Sequence, residues 1–532
     1  MRDVVKDEQT VASISASVQQ GDLGAAFAAA EAALADGLEH PLPYRLRGIR
    51  AEGEGRLIEA VQAFDIARQM EPAHAPTLGA LGLCLARVGQ LDAAKAILHD
   101  ALALEPDYAD AHFALGWALE NQNDADAAIA AYEQAVRHAP THIAAHANAA
   151  VLAARRGEID KARSLANAAL ALESRDATAV VALATADLAE RKGADAEARI
   201  RKRLGSSARM PPSTQATLQG LLGDSLHQQQ QPAAAFDAWL LANVQLRMMH
   251  GVRFGPGRLE PGADLVQRLA GAFSEAQRAR WQRAIPPPPP VASPVARHSF
   301  VVGFPRSGAT LVAQVLGSHP AVTLLDGWET LAEPAHEYLS SDDGLPRLAR
   351  LTDDQLAAER DAYWERVKAK VPTLTGEVFL DKLPINLLAL PIIDKLFPDA
   401  RILLVRRDPR DVVLSCFRHP FGINPTTWEF LALESTAKFY AQVMALTERY
   451  LDLLGLTVQI QRYEDLIDDV DTASQSLCRF LGLEWTPALR DVAARSKQRA
   501  ADSGQWRAYA QQLAPVLPIL QPWIAKFGYP AD

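Results

Sequence analysis

The sequence predicts a multidomain protein: an N-terminal all-α superhelix, then a C-terminal α/β domain with a central parallel sheet and a P-loop-like turn. Three observations predict it: a 34-residue period through the first half, five consecutive prolines at 286–290, and short β-rich runs alternating with helical segments beyond them. At 532 residues, and roughly 100–200 residues per domain, about three folded units are expected. Their bounds are 8–250 for a helical repeat array, 251–298 for a helical segment and proline-rich linker, and 299–532 for the α/β domain.

The repeat array rests on four columns in register. Pro72, Pro106 and Pro140 lie 34 residues apart, with Ser174 next in line. Gly48, Gly82 and Gly116 continue as Ala150 and Ala184; Ala60, Ala94, Ala128 and Ala162 form a third column; Gly55, Gly89, Asn123 and Gly157 a fourth. A small residue within one helix permits close approach of the next, Gly or Asn ends the first helix, and Pro prevents the second from continuing. This pattern resembles the tetratricopeptide repeat from about residue 21 to 192, with a more degenerate pair at 220–247. The resemblance implies a concave face that recruits a protein or peptide; a scaffold that only supports the rest of the chain is the other reading.

Residues 286–290 can form only an extended polyproline spacer. Beyond it, 300–304, 378–380, 401–405 and 457–461 read as buried strands separated by helices, the alternation of a parallel sheet covered on both faces.

The first strand runs into Pro305-Arg306-Ser307-Gly308-Ala309-Thr310, after which Leu311, Val312, Val315 and Leu316 trace one helical face. Strand, tight loop and helix start aim unpaired N–H groups at one point, where an anion can bind. Gly303, Gly308 and Thr310 keep the spacing of the nucleotide P-loop, but Ala309 stands where that motif needs Lys, which disfavours a kinase or ATPase. Arg306 supplies a cation inside the loop instead.

The run Pro305–Leu311 resembles the PRSGTTL signature of the sulfotransferase superfamily, as in the protein-tyrosine sulfotransferases and the repeat-bearing bacterial members. The resemblance covers residues 299–530. It implies that Arg306, Ser307, Gly308, Ala309 and Thr310 hold the 5′-phosphosulfate of 3′-phosphoadenylyl sulfate (PAPS). Ala309 departs from the signature by deleting a hydroxyl, which weakens that grip.

A second turn, Arg406-Arg407-Asp408-Pro409-Arg410-Asp411, follows the 401–405 strand, with Asp408 suited to cap a helix and Pro409 to begin it. By resemblance Arg407 and Ser415, eight residues on, grip the nucleotide's 3′-phosphate, and Tyr463 in Arg462-Tyr463-Glu464-Asp465-Leu466 touches the nucleotide. Residues 496–503, with Trp506 and Tyr509, resemble the loop that closes over it, which makes Ser496 a catalytic candidate.

Sulfuryl transfer demands charge stabilisation on the leaving phosphate and a base for the acceptor. Arg306 suits the first task, and Lys382 matches the transition-state lysine of the tyrosine-sulfating relatives. For the base, the segment 319–330 offers Glu329, which is favoured because Glu-Thr also follows in those relatives, and Asp326; His319 beside Pro320 reads as a helix stop. No metal is expected, since no close ligand set exists.

The expected function is therefore a PAPS-dependent sulfotransferase acting on a hydroxyl or amine by in-line displacement, with the repeat array recruiting a partner or the acceptor. The alternative is an interaction scaffold carrying an inactive nucleotide-binding fold. Hydrophobic residues at 49% and charged residues at 22% exclude a largely disordered chain. The net charge of −10 gives no global basic field, so neither nucleic acid nor an anionic membrane is an expected partner; the resemblance and the long array allow a homodimer, with oligomeric state left open. Cys84, Cys416 and Cys478 are few, odd in number and widely spaced, as in a reducing compartment. With acids at Asp3, Asp7 and Glu8 where a signal peptide needs an apolar core, a cytoplasmic location is expected.

Overall fold

A computed structural model describes residues 4–122, 124–255, 257–273, 294–374, 377–497 and 503–531, with backbone alone for 4–5 and 493–497. The chain divides into two compact units, Met1–Gln229 and Gln230–Asp532, rather than the expected three.

The first unit is all helix, thirteen helices among its described residues from Val4–Gln19 to Pro212–Gln228. The glycine column has a direct steric cause. A Cβ built on Gly48 would lie 2.7 Å from Phe64, on Gly82 2.5 Å from Leu98, and on Gly116 2.6 Å from Tyr132. Each glycine thus seats the large residue of the following helix. Gly55, Gly89 and Gly157 take φ of 77°, 88° and 80° at the turns within pairs, where a side chain would be strained; Asn123, their fourth member, lies outside the described residues. The residue before each column proline is extended, with φ, ψ of −137°, 83° at Glu71, −131°, 90° at Glu105 and −133°, 88° at Ala139, as Pro requires of its predecessor. Glu173, before Ser174, holds −133°, 99°, so the turn keeps its shape where the proline is missing.

One column escapes the sequence reading. His40, His74, His142 and Asp176 each cap the first helix of a pair, the side chain accepting from Leu42, Thr77, Ala145 and Ala179 N–H respectively. Histidine is an uncommon cap, so residue type alone does not announce the role.

The second unit is built on five parallel strands in the order β2-β3-β1-β4-β5. They are β1 Arg297–Gly303, β2 Val322–Asp326, β3 Val378–Lys382, β4 Arg401–Arg406 and β5 Thr457–Arg462. Four match the expected strands, whereas β2 was not anticipated: only Leu325 of its five residues is fully buried, as befits a short edge strand. Val301, Val315, Leu316, Leu380 and Leu403 pack on one face, while the rings of His298, Phe300, Tyr363 and Phe397 pack together. The chain leaves β1 toward β2 and leaves β4 toward β5 on the opposite side. The crevice beyond the C-terminal ends of β1 and β4 is therefore the switch point at which such sheets bind ligands.

The helix Pro232–His250, expected to close the repeat array, belongs to this second unit. Phe236 stacks on Phe417 at 5.0 Å, Trp239 tilts against Tyr509 at 5.6 Å, and Asn243 Nδ2 donates to the Phe417 carbonyl at 2.8 Å. The helix Gly262–Ala272 is held there too, with the Ala263 N–H on Glu429 and Arg268 donating to the Leu339 and Ser341 carbonyls. The span 251–298, expected as a helical segment and linker, carries this helix within the second unit, and prolines 286–290 lie outside the described residues. Among the described residues no helix is long and apolar enough to cross a membrane.

Candidate active site at the ends of the parallel strands

Every expected site residue with a described side chain lies at or just beyond the C-terminal end of a strand or on the helix that follows it. After β1 the chain turns tightly. Arg306 takes φ 69° and Gly308 φ 100°, so two residues within three positions are left-handed, an expensive conformation for an arginine. Gly303 is required by close approach: a Cβ there would lie 2.6 Å from Ser307 Oγ and 2.7 Å from the Val405 carbonyl oxygen. The helix Ala309–Gly317 then begins with Gly308 as its cap and no side-chain cap bond; the Leu311 N–H donates to the Gly308 carbonyl at 3.0 Å, and the N–H groups ahead of it point out of the helix start. Ser307 is buried and its hydroxyl has no hydrogen-bond partner among the described residues. Ala309 is buried too, whereas Thr310 and Arg306 reach the surface.

The turn after β4 comes to the same place. Arg306 Nε donates to Ser415 Oγ at 2.9 Å, and Arg407 Nη1 donates to the Arg306 carbonyl at 3.4 Å. Arg407 stacks over Tyr463 with its Cζ 4.8 Å from the ring centre. Tyr463 in turn covers Gly308, where a Cβ would lie 2.2 Å from Cδ2. The residues expected to hold the two ends of a nucleotide are thus in direct contact, Arg306 with Ser415 and with Arg407.

The three arginines of this turn do different things. Arg407 faces the loop; Arg406 pairs with Glu448 and stacks on Phe527; Arg410 is buried and turned away, bound to Asp408. Asp408 caps the helix Pro409–Arg418 through the Arg410 N–H. Arg407, Asp411, Leu414, Ser415, Arg418 and Gln505 line a small open cleft. Arg418 and Gln505 were missed from sequence, although Asp411, Leu414, Ser415 and Arg418 have the three- and four-residue spacing of one helical face.

On the other side of β1, Lys382 ends β3 and Asp326 ends β2 directly opposite in register. Lys382 Nζ donates to Asp326 Oδ1 at 2.8 Å, the lysine side chain 8% exposed and the aspartate 38%. Glu329 is exposed on the turn that follows. That turn is fixed on β3 at both ends: Gly327 N–H donates to the Lys382 carbonyl at 2.9 Å, and Thr330 Oγ1 to Asp381 Oδ2 at 2.6 Å. Asp381 also accepts from Tyr363 at 2.9 Å; complete burial pushes its pKa up to about 6 despite both hydrogen bonds. His319 uses both ring nitrogens, Nδ1 accepting from Ala321 N–H and Nε2 paired with the Glu484 carbonyl, which leaves none for proton transfer. The side chain of Ser496 lies outside the described residues.

Residues 299–487 match the sulfotransferase family. The second unit carries a sulfotransferase-family domain. Segments 80–143 and 119–179 match the tetratricopeptide repeat, which makes the helical array of the first unit a tetratricopeptide-repeat region. Similar proteins include the nodulation protein NoeE of Sinorhizobium fredii, 27% identical over 225 residues that cover 37% of this chain and 52% of that protein. Protein-tyrosine sulfotransferase 1 of Danio rerio is 27% identical over 207 residues, covering 36% of this chain and 54% of its own length. An uncharacterized protein of Aquifex aeolicus is 23% identical over 397 residues, covering 70% and 50%. The chain spans about half the length of these relatives. The sulfotransferase-family domain begins within β1 and includes the loop at 305–310, Lys382, Arg407, Ser415 and Tyr463.

Proposed function

We propose that the second unit transfers a sulfuryl group from PAPS to a hydroxyl or amine acceptor, and that the repeat array recruits a partner or the acceptor itself. The observation that carries this reading is the Arg306–Ser415 hydrogen bond at the end of β1 and β4, which joins a glycine-tight, cationic loop to a second helix start. The residues fit such a nucleotide. The buried Ser307 hydroxyl has capacity to spare, the Gly303 and Gly308 cradles exclude any side chain, and Arg306 and Arg407 supply positive charge. Ser307, Gly308, Ala309, Thr310 and Arg306 would hold the 5′ end; Arg407 and Ser415, the 3′-phosphate; Tyr463 backs both.

Bound there, PAPS supplies sulfur on a phosphate leaving group, open to in-line displacement. Glu329 takes the proton of the acceptor, as an exposed carboxylate on a turn anchored to β3 by Gly327 and Thr330. Lys382 and Arg306 hold the charge that develops on the transferring group and the leaving phosphate. Asp326, locked to the Lys382 ammonium, orients that cation and is the weaker candidate for the base. The substrate hydroxyl or amine is set by the walls around Glu329.

Titration calorimetry with adenosine 3′,5′-bisphosphate tests the reading. The wild-type protein binds it, and Arg306→Ala weakens binding about 10–100-fold, the worth of a lost charge-assisted contact. Glu329→Gln retains binding and loses transfer from labelled donor; no binding by wild type at millimolar nucleotide ends the proposal. Wild-type binding without transfer to any acceptor screened would favour the inactive scaffold.

A further inference from the structure

Behind the β4 and β5 ends lies a connected set of buried groups that no step above uses. Glu464 follows Tyr463, and its two oxygens bridge distant parts of the unit: Oε1 accepts from the Asp408 N–H at 3.0 Å, Oε2 from the Tyr529 hydroxyl at 2.9 Å. Asp408 is gripped by Arg410 through Nε at 3.0 Å and Nη2 at 2.8 Å. The same guanidinium, 1% exposed, donates to the Ala531 carbonyl at 2.9 Å and the Pro530 carbonyl at 2.7 Å. It also stacks 3.6 Å from the Trp506 ring centre. Asp411 completes the set, accepting from the Gly504 and Trp506 N–H groups at 2.6 and 2.9 Å.

We propose that Tyr529, Glu464, Asp408 and Arg410 form a clasp that positions Arg407 and Tyr463 for the 3′-phosphate; this rests on the donor reading above. Arg407 immediately precedes Asp408, and Tyr463 immediately precedes Glu464. The Glu464–Asp408 bond therefore sets the separation of the two strand ends from which the stacked pair projects. Tyr529 holds the free oxygen of Glu464, and Arg410 holds the Asp408 carboxylate, so neither strand end can drift alone. Glu464 and Tyr529 act on Arg407 through this linkage and are positioning residues.

The test compares adenosine 3′,5′-bisphosphate with adenosine 5′-monophosphate on full-length wild type, Tyr529→Phe and Glu464→Gln, alongside thermal melting. Tyr529→Phe keeps the ring against Arg462 and removes only the hydroxyl. It should weaken the bisphosphate about fivefold to tenfold and the monophosphate by less than about twofold, with Glu464→Gln shifting the ratio in the same direction. Glu464→Gln decides the matter if Tyr529→Phe fails to fold. Equal loss for both nucleotides, in step with melting temperature, would mean general stabilisation and overturns the clasp, as would unchanged affinities. Binding of neither nucleotide by wild type removes the donor reading and the clasp with it, an outcome recognised because the unsubstituted protein is silent.

Discussion

Tyr463 lies against Gly308 so closely that a methyl group at 308 would sit 2.2 Å from the ring carbon Cδ2. Gly308 also holds φ 100°, so alanine there meets a steric clash and a backbone penalty of about 1 kcal/mol or more. Gly308→Ala should reduce affinity for adenosine 3′,5′-bisphosphate at least about tenfold by calorimetry. Adding Tyr463→Leu should recover only part of the loss, because the ring is removed but the left-handed backbone is not.

The Lys382–Asp326 pair separates two roles for acids at the site. Lys382→Ala should slow single-turnover release of desulfated nucleotide about 10²–10³-fold, the range for removing one donor from a developing charge, with nucleotide affinity little changed. Asp326→Asn frees the ammonium without removing it, so its effect should be smaller than that of Glu329→Gln. The reverse order would make Asp326 the base.

Asp381 gives a pH signature. Burial raises its folded pKa to about 6, well above the ordinary carboxylate value of about 4, so between those values the native state holds a proton that the unfolded chain has released. Its contribution to stability is whole below about pH 4 and is lost as pH rises through 6. Asp381→Asn lacks this loss. The stability of the variant relative to wild type should therefore increase by roughly 2–3 kcal/mol from pH 4 to pH 7, measured by denaturant unfolding at each pH. A pH-independent difference would show that the carboxyl titrates as an exposed one does.

In the repeat array, Gly82 faces Leu98 with no space for a further carbon. Gly82→Val should destabilise the array by about 1–3 kcal/mol as overpacking, and Gly82→Ala by less. Truncating the partner, as Gly82→Ala with Leu98→Ala, should recover part of the cost of the glycine change. Circular dichroism melts of the four proteins provide the cycle.

The first half was legible because repetition turns one steric rule into several columns, as at Gly48, Gly82 and Gly116. The tight turn at 303–310 was legible because strand, glycine and helix signals fall within a dozen neighbouring residues. Edge strand β2 was not: Val322, Thr323 and Leu324 are only partly buried, so neither strict alternation nor a continuous apolar run marks it. The inward turn of Arg410 was also hidden, because the carbonyls it binds belong to residues 530 and 531, far along the chain. The histidine caps were missed for want of residue-type preference, although His40, His74 and His142 share the register of the other columns. The helix Pro232–His250 carries an alanine run like that of a repeat helix, and only its tertiary partners Phe417 and Tyr509 assign it to the other unit.

The bonds from Arg410 to the carbonyls of residues 530 and 531 have a consequence for biosynthesis. The phosphate loop at 303–310 emerges from the ribosome more than two hundred residues before the segment that fastens its neighbouring turn. A nascent chain halted between them would carry every residue of the anion-binding loop and yet have Arg410 without its final anchors. The contacts that fasten the turn after β4 are thus completed late, once residues 530 and 531 have been made, rather than when the 303–310 loop is first made.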